Sequence, residues 1–139
     1  MKTRVFDVRG DDAALYEVIR PWWEEHGWQA VPLAVLPRCA VLVEDDDGKP
    51  LAAAWLYMEN SGVGVAWMEW TVTNPILTPW RSYAAITMLT QAVREVALEL
   101  DYGVVMTTAR QDSLVRVFER NGFAVTDRGM THLLMLTKT

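Results

Sequence analysis

The stretch EWTVTNPILTPWRSYAAITMLTQAV, residues 69–93, decides the fold, because it joins a strand-like run to the longest helical pattern in the chain. Thr78 is a good N-cap, and Pro79 suits the first helical position, where its missing N–H costs nothing. From Ala84 to Leu100, small and apolar residues recur at helical spacing. The sequence therefore predicts a strand, a sharp turn, and a helix that begins at Pro79 and packs on a sheet.

The turn between this strand and helix contains no glycine. Where such a junction binds phosphate, glycines are common, because a bare backbone lets the amides close on the oxygens. Here it reads Pro-Trp-Arg-Ser-Tyr over residues 79–83. The helix N-terminus, with free amides near Trp80 to Ser82, and the cation of Arg81 could still hold an anion. A well-capped structural helix explains the same residues, and the sequence leaves both interpretations open.

The segments before this junction indicate a strand, a helix and a hairpin. Residues 3–9 alternate like a strand, and Asp11 or Asp12 then caps a helix that Pro21 is expected to break or kink. Residues 39–60 form two apolar runs around Asp47-Gly48, a strong hairpin signal. The adjacent acids there are interpreted as a solvated turn rather than a metal site. Residues 63–72 supply the next strand.

After the long helix, the pattern predicts one more strand, a short helix and a closing strand pair. Gly103 is expected to end the long helix, and Gly122 the short helix that follows the strand at 104–109. Residues 123–127 and 130–138 are predicted to pair. The fold class is thus α/β, or α+β with a mixed sheet: a central twisted sheet of about six to seven strands flanked by helices, in one domain spanning 1–139.

Composition narrows the range of functions. Of 139 residues, 51% are hydrophobic and the net charge is -5 without a basic run, so nucleic-acid binding is not expected. No apolar stretch suits a signal segment or a membrane span, which favours a cytoplasmic location. Cys39 is the only cysteine, which excludes internal disulfides, and no metal site is predicted. The seven tryptophans fit core packing or, alternatively, a surface for self-association or a protein partner.

Two segments resemble the GNAT N-acetyltransferase superfamily, from about Cys39 to the end of the chain and more weakly before it. SLVRVFERNGFAV, residues 113–125, is similar to the family's Tyr-Glu-Lys-x-Gly-Phe-like box. EWTVTNP, residues 69–75, with the helix after it, resembles the fourth strand and its cofactor-binding turn. The resemblance implies a sheet that opens after the fourth strand, with acetyl-CoA in the V-shaped gap and a primary amine, free or on a protein, as acceptor.

The resemblance also implies which residues would hold acetyl-CoA. The pantetheine arm would pair with the strand at Trp70, Thr71, Val72 and Thr73, and the pyrophosphate would lie on the helix tip. The family's Gln/Arg-x-x-Gly-x-Gly/Ala loop aligns in two registers, neither of which supplies a glycine. The positions concerned are Trp80, Arg81, Ser82, Tyr83, Ala84, Ala85 and Ile86. Gln111 stands where the family often has a cofactor-binding asparagine.

For catalysis, the resemblance points to Glu69 as the base, with Glu59 and Glu44 as weaker alternatives. If Trp67 and Thr71 share its face, Glu69 points into or beside the cleft. A glutamate between two tryptophans would have a raised pKa through desolvation, which suits a base; a solvent-facing or ion-paired strand glutamate is the alternative. Phe118 replaces the tyrosine that commonly protonates the coenzyme A thiolate. Cys39, His26 and His132 form no nucleophile–base set that the sequence supports.

Two functions follow. One is an acetyl-CoA-dependent N-acetyltransferase. The other is a GNAT-fold binding or structural protein without catalysis. The Trp-x-x-His-x-Trp pattern, the Trp-rich strand and the Asn-Pro before a glycine-poor helix resemble the GNAT-like proteins of tailed bacteriophages, a resemblance that implies a virion location.

Overall fold

The computed structural model of the chain describes residues 1–138 and contains a five-stranded sheet in the order β1-β2-β3-β4-β5. The elements, in chain order, are β1 (Lys2–Phe6), α1 (Ala13–Glu25), a 3-10 turn (Leu33–Val35), β2 (Ala40–Glu44), β3 (Pro50–Met58), β4 (Val65–Thr73), α2 (Pro79–Glu99), β5 (Val104–Thr107) and α3 (Asp112–Arg120). The first four strands are antiparallel to their neighbours, and β5 is parallel to β4. The predicted mixed α/β class is confirmed.

The two faces of the sheet bury separate apolar clusters. On one face, α2 and α3 cover residues such as Val43, Leu56 and Met68. On the other, α1 packs Ile19, Trp22 and Trp23 against Phe6, Leu42 and Trp55. Helices therefore lie on both sides of the sheet, and strand residues alternate between the two clusters.

An extra residue in β4 reverses this alternation near its end. In β3, Ala53 pairs with Val72 and Trp55 pairs with Glu69, so an advance of two residues along β3 corresponds to three residues along β4. Within this part of β4, Trp70 has a left-handed backbone conformation, with φ 62°. This is a β-bulge, which bends a strand and changes the direction of its side chains. Met68 packs under α2 and Val72 under α1. The bulge thus turns Thr71 towards the α2 face and leaves Glu69 on the α1 face, where its pairing partner Trp55 lies.

Two expectations about element boundaries were wrong. Pro21 does not interrupt α1, since the helix continues to Glu25 and its buried tryptophans hold it against the sheet. The residue after α2 in the left-handed conformation is Asp101, at φ 66°, rather than Gly103. The amide of Tyr102 then bonds to the carbonyl of Ala97, closing the helix end.

The sheet also has fewer strands than predicted, five rather than six or seven. Residues 123–138 contain no strand, and apart from Phe123, which packs on the α2–α3 side of the sheet, their large apolar side chains are exposed to solvent, with Leu133 91% exposed. Alternating apolar residues indicate strand character locally, but a strand forms only where a neighbouring edge accepts its hydrogen bonds. Within the described chain these residues are not paired to β5.

The N-terminus of α2 is fixed as the sequence predicted. The hydroxyl of Thr78 accepts a hydrogen bond from the amide of Arg81 at 3.3 Å, and Pro79 is the first helical residue.

Replacing Thr78 by Ala should lower the free energy of unfolding by about 1 kcal/mol, because that amide loses its cap. Urea denaturation followed by circular dichroism measures this change. Thr78→Ser keeps the hydroxyl and should retain most of the stability; equal losses in both variants would contradict a capping role.

Candidate active site

The strands β4 and β5 separate after only four paired positions. Pairing runs from Val65 with Val104 to Met68 with Thr107, and β4 then continues alone to Thr73. At the point of separation, the hydroxyl of Thr107 donates to the carbonyl of Met68 at 2.5 Å. One residue further along each strand, the hydroxyl of Thr108 donates to the carboxylate of Glu69 at 2.8 Å. Side chains therefore bridge the apex of a V-shaped opening.

A cleft of about 350 Å³ lies beside the unpaired end of β4, within the usual size range of small-molecule pockets. The end of β4, the first turns of α2, the residues leading into and along α3, and two residues that follow α1 form its walls. The lining residues are His26, Trp28, Thr71, Val72, Thr73, Pro79, Ser82, Tyr83, Ile86, Gln111, Ser113, Leu114, Arg116, Val117 and Arg120.

The charge of the cleft is positive, although the whole chain carries -5. Arg116 and Arg120 of α3 line it, and its walls contain no carboxylate among residues 1–138. The N-terminus of α3 also faces it, where Gln111 makes no side-chain cap to the first amides. Guanidinium groups and uncapped helix amides act in the same direction on an anion. The cleft can therefore hold a negatively charged group.

The end of β4 offers polar groups to the cleft. The hydroxyl of Thr71 is buried and lacks a hydrogen-bond partner within the described chain. Such a group is rare in a folded protein and is available to a bound ligand. The carbonyl of Thr73, in contrast, is 2.9 Å from Nε2 of His26, whose ring lies 5.2 Å from that of Trp28. His26 thus ties the chain after α1 to the end of β4, a role that the sequence did not indicate.

The residues proposed for the phosphate loop divide between two locations. Ser82 and Tyr83 line the cleft, whereas Trp80 is 79% exposed and does not. The rings of Trp80 and Tyr83 stack at 6.0 Å, and the guanidinium of Arg120 lies 5.7 Å from the centre of Tyr83. Within residues 1–138, no indole fills the cleft, and Trp28 forms only part of its wall.

Arg81 is exposed and lies outside the cleft wall. The pKa of Asp45 is lowered mainly by the hydrogen bonds that it accepts from the backbone amides of Lys49 and Asp47, and the nearby charge of Arg81 adds to that shift. The amides of Arg81 and Ser82 are already bonded to Thr78, so the expected set of free amides at this tip is reduced to that of Trp80. Arg116 and Arg120 are nearer alternatives. Their helical spacing of four places both on one face of α3, but only the folded chain reveals that this face lines the cleft.

The remaining predicted contacts are distributed as follows. Thr71, Val72, Thr73 and Gln111 line the cleft together. Ala85 of α2 is buried in the core cluster between the helix and the sheet, and Ala84 and Trp70 are partly buried outside the cleft wall. Phe118 is buried in the α2–α3 cluster, with its ring 5.3 Å from that of Phe123.

Glu69 lies at the apex of the opening, on the face of the sheet opposite α2. Burial raises the pKa of its carboxyl, and the Thr108 hydroxyl and the nearby His132 oppose that shift. The other two candidate bases lie elsewhere. Glu44 pairs with Arg4 at 3.1 Å on β2, and Glu59 accepts hydrogen bonds from Ser61 beyond β3. No group of three possible metal ligands gathers anywhere in residues 1–138.

The desolvation of Glu69 has a consequence for stability. Because its pKa in the folded state is raised, folding favours the protonated carboxyl, and this contribution is lost as the pH rises from the pKa of the unfolded glutamate through that of the folded one. Glu69→Gln, which cannot ionise, should be more stable than the wild type at pH 7 and lose that advantage below about pH 4. Urea denaturation at both pH values tests this; a wild type favoured at pH 7 would contradict the desolvated position.

Comparison with protein families found no family model that matches the chain, and no curated protein matches its sequence. Solved structures do match its fold. A probable acetyltransferase superimposes with a TM-score of 0.72 at 15% identity, over 100% of both chains. An aminoglycoside acetyltransferase from an uncultured soil metagenomic sample, solved with sisomicin, gives 0.73 at 12% identity, over 98% of this chain and 96% of that one.

A Trypanosoma brucei acetyltransferase gives a TM-score of 0.62 at 17% identity, covering 96% of this chain and 99% of its own. These matches span nearly the whole of both chains, and they agree in the mixed sheet flanked by helices. At such low identity they establish architecture only. No helix within residues 1–138 is long and apolar enough to cross a membrane. The chain has the GNAT-like fold of acetyltransferases.

Proposed function

We propose that this chain is an N-acetyltransferase that transfers an acetyl group from acetyl-CoA to a primary amine. One observation carries the proposal: β4 and β5 separate beside a cleft with a positive wall, and at the apex lies a half-buried carboxylate whose pKa is raised by burial. The architecture shared with acetyltransferases agrees with it, but the proposal depends on the site, because one fold can support many functions.

The residues of the cleft fit acetyl-CoA in three respects. Arg116, Arg120 and the amides at the start of α3 suit its phosphate groups. The unpartnered hydroxyl of Thr71 and the unpaired end of β4 suit the amides of its pantetheine arm. Beyond the last paired positions, Met68 and Thr107, the strands β4 and β5 separate, and the thioester would lie beside this apex. Acetyl-CoA would supply an acetyl carbon that an amine can attack.

The chain's own residues would contribute positioning and proton transfer. The end of β4 would orient the arm, and the cleft walls would limit its motion, which lowers the entropic cost of reaction. Glu69, held by Thr108, would accept the proton of the acceptor ammonium, directly or through a water molecule. Phe118 provides no hydroxyl, and its ring lies in the core. The leaving thiolate would therefore take its proton from solvent.

Acetyl-CoA binding provides the first test. Isothermal titration calorimetry should detect micromolar binding by the wild type. Arg116→Ala and Arg120→Ala should each weaken binding about tenfold through the loss of a charge-assisted contact, since about 1.4 kcal/mol corresponds to a factor of ten. Arg94→Ala, which removes an exposed cation from α2, is the control. Arg81→Ala in the same series tests the sequence-based assignment. Unchanged affinity in both α3 variants would contradict the phosphate site.

Proton transfer provides the second test. Because the pKa of Glu69 is raised, kcat/KM should fall on the acid side at a pH above the ordinary pKa of glutamate. Glu69→Gln should lower kcat at least about 100-fold and abolish that acid limb, while leaving acetyl-CoA affinity unchanged. Glu59→Gln is the matched control. A variant that keeps the wild-type rate and acid limb would eliminate Glu69 as the base.

The second candidate is a GNAT-fold binding or structural protein without catalysis, for instance in a phage particle. Two sequence features favour it: the glycine-free helix tip and the phenylalanine at position 118. Among the tryptophans, Trp67 and Trp80 are exposed and would supply a partner surface. Failure of 1 mM acetyl-CoA to raise the melting temperature would favour this candidate, because a micromolar ligand at that excess must stabilise the folded state.

A further inference from the structure

A second surface lies on the face of the sheet away from the cleft, at the part of β4 that precedes the bulge. Trp67 pairs with Tyr57 of β3 on one side and with Met106 of β5 on the other, so all three lie on the same face as Glu69. Trp70 joins them, since its indole N–H donates to the hydroxyl of Tyr57 at 2.8 Å. We call this set, Tyr57, Trp67, Glu69, Trp70 and Met106, the Glu69 platform.

The Glu69 platform is partly open to solvent. Trp67 is 38% exposed and Met106 40%, because α1 covers the sheet only as far as Trp55 and Trp70. Large apolar side chains around a single carboxylate form an unusual surface for a monomer, where glutamate is normally solvated. A ligand that complements this surface would combine an apolar part, which covers the exposed aromatic and Met side chains, with a positive charge, which pairs with the carboxylate.

The carboxylate of Glu69 has one free acceptor atom. Oε2 accepts the hydroxyl of Thr108, and no donor within residues 1–138 bonds to Oε1. The titratable groups that face it are Tyr57, whose pKa is raised by burial and by the Glu69 charge, and His132, whose ring lies edge-on at 6.4 Å from Trp70. No Lys or Arg forms an ion pair with Glu69 in this part of the chain.

We propose, resting on the acetyltransferase function above, that the Glu69 platform binds the acceptor and selects a monoamine whose ammonium is carried on a flat apolar body, such as an arylalkylamine. The ammonium would meet Oε1 of Glu69, and its apolar body would lie on Trp67 and Met106. Indole faces also attract cations, so charge and shape act together. A polyamine suits this surface poorly, because only one carboxylate is present to receive its several charges.

The experiment uses phenethylamine as the probe and two-dimensional 15N NMR of the intact chain as the readout. The indole N–H signals of Trp67 and Trp70 should move on titration, while those of Trp22 and Trp80 stay in place. Phenethyl alcohol, which lacks the charge, and spermine, which lacks the flat body, should each bind at least about tenfold more weakly. Titrations are carried out with and without saturating coenzyme A, so that a requirement for prior cofactor binding is included.

Variants locate the site. Glu69→Gln and Trp67→Leu should each weaken phenethylamine binding about tenfold or more. The matched controls Glu95→Gln and Leu98→Ala, at exposed positions on α2, should leave it unchanged. The inference is overturned if spermine binds more tightly than phenethylamine, if neither Trp67 nor Trp70 responds in either titration, or if Trp67→Leu binds like the wild type.

The experiments distinguish failure of the amine site from failure of the proposed acetyltransferase function. A chain that binds phenethylamine at the platform but never binds acetyl-CoA would retain the amine site and lose the transferase. A chain that binds and turns over acetyl-CoA but prefers spermine would retain the transferase and lose the arylalkylamine selectivity.

Discussion

The single extra residue of β4 is the constraint on which the candidate site depends. Regular pairing would continue the alternation of β4 and keep Val72 on the same side as Met68. With Trp70 held at φ 62°, Thr71 turns towards the cleft, and Glu69 and Trp70 share the opposite face. A non-glycine residue in this conformation is costly, and the hydrogen bond from its indole to Tyr57 contributes to holding it there. The strained backbone of Trp70 thus lies between Thr71, which lines the cleft, and Glu69, which lies on the opposite face.

Those two faces differ in charge as well as in shape. The cleft under α2 and α3 presents Arg116, Arg120 and uncapped amides, whereas the platform presents one carboxylate among aromatic rings. In an acidic protein, a positive cleft attracts an anion mainly through its local field, since distant surface charges are screened. An anionic cofactor and a cationic acceptor would thus approach the apex from opposite sides. Glu69 lies where the short pairing of β4 with β5 ends, next to the unpaired end of β4 that lines the cleft.

The sequence predicted what is governed by neighbours along the chain, and it missed what depends on partners across the fold. Thr78, Pro79 and the Asp47-Gly48 turn carry their structural signal within a few residues, and these elements form as expected. Glu69 also lies on β4, the strand on which the sequence predicted it. Arg116 and Arg120 were missed because the helical face that they share becomes a cleft wall only when α3 packs beside α2. The final strands failed for the same reason, because alternation in residues 123–138 does not specify an edge to pair with.

The position of Phe118 in the fold explains what the replacement of the family's tyrosine by phenylalanine changes. Its ring packs on Phe123 in the α2–α3 cluster, outside the cleft wall. A tyrosine there would need its hydroxyl to extend beyond this packing towards the cleft, whereas phenylalanine stabilises the helix pair without requiring a polar partner. If the chain transfers acetyl groups, the proton taken from the amine at Glu69 and the proton gained by the thiolate are handled in different ways, the first by a positioned base and the second by water. Deprotonation of the acceptor would then be the step that the protein controls, through a carboxyl whose pKa is raised by burial while the hydrogen bond from Thr108 opposes that rise.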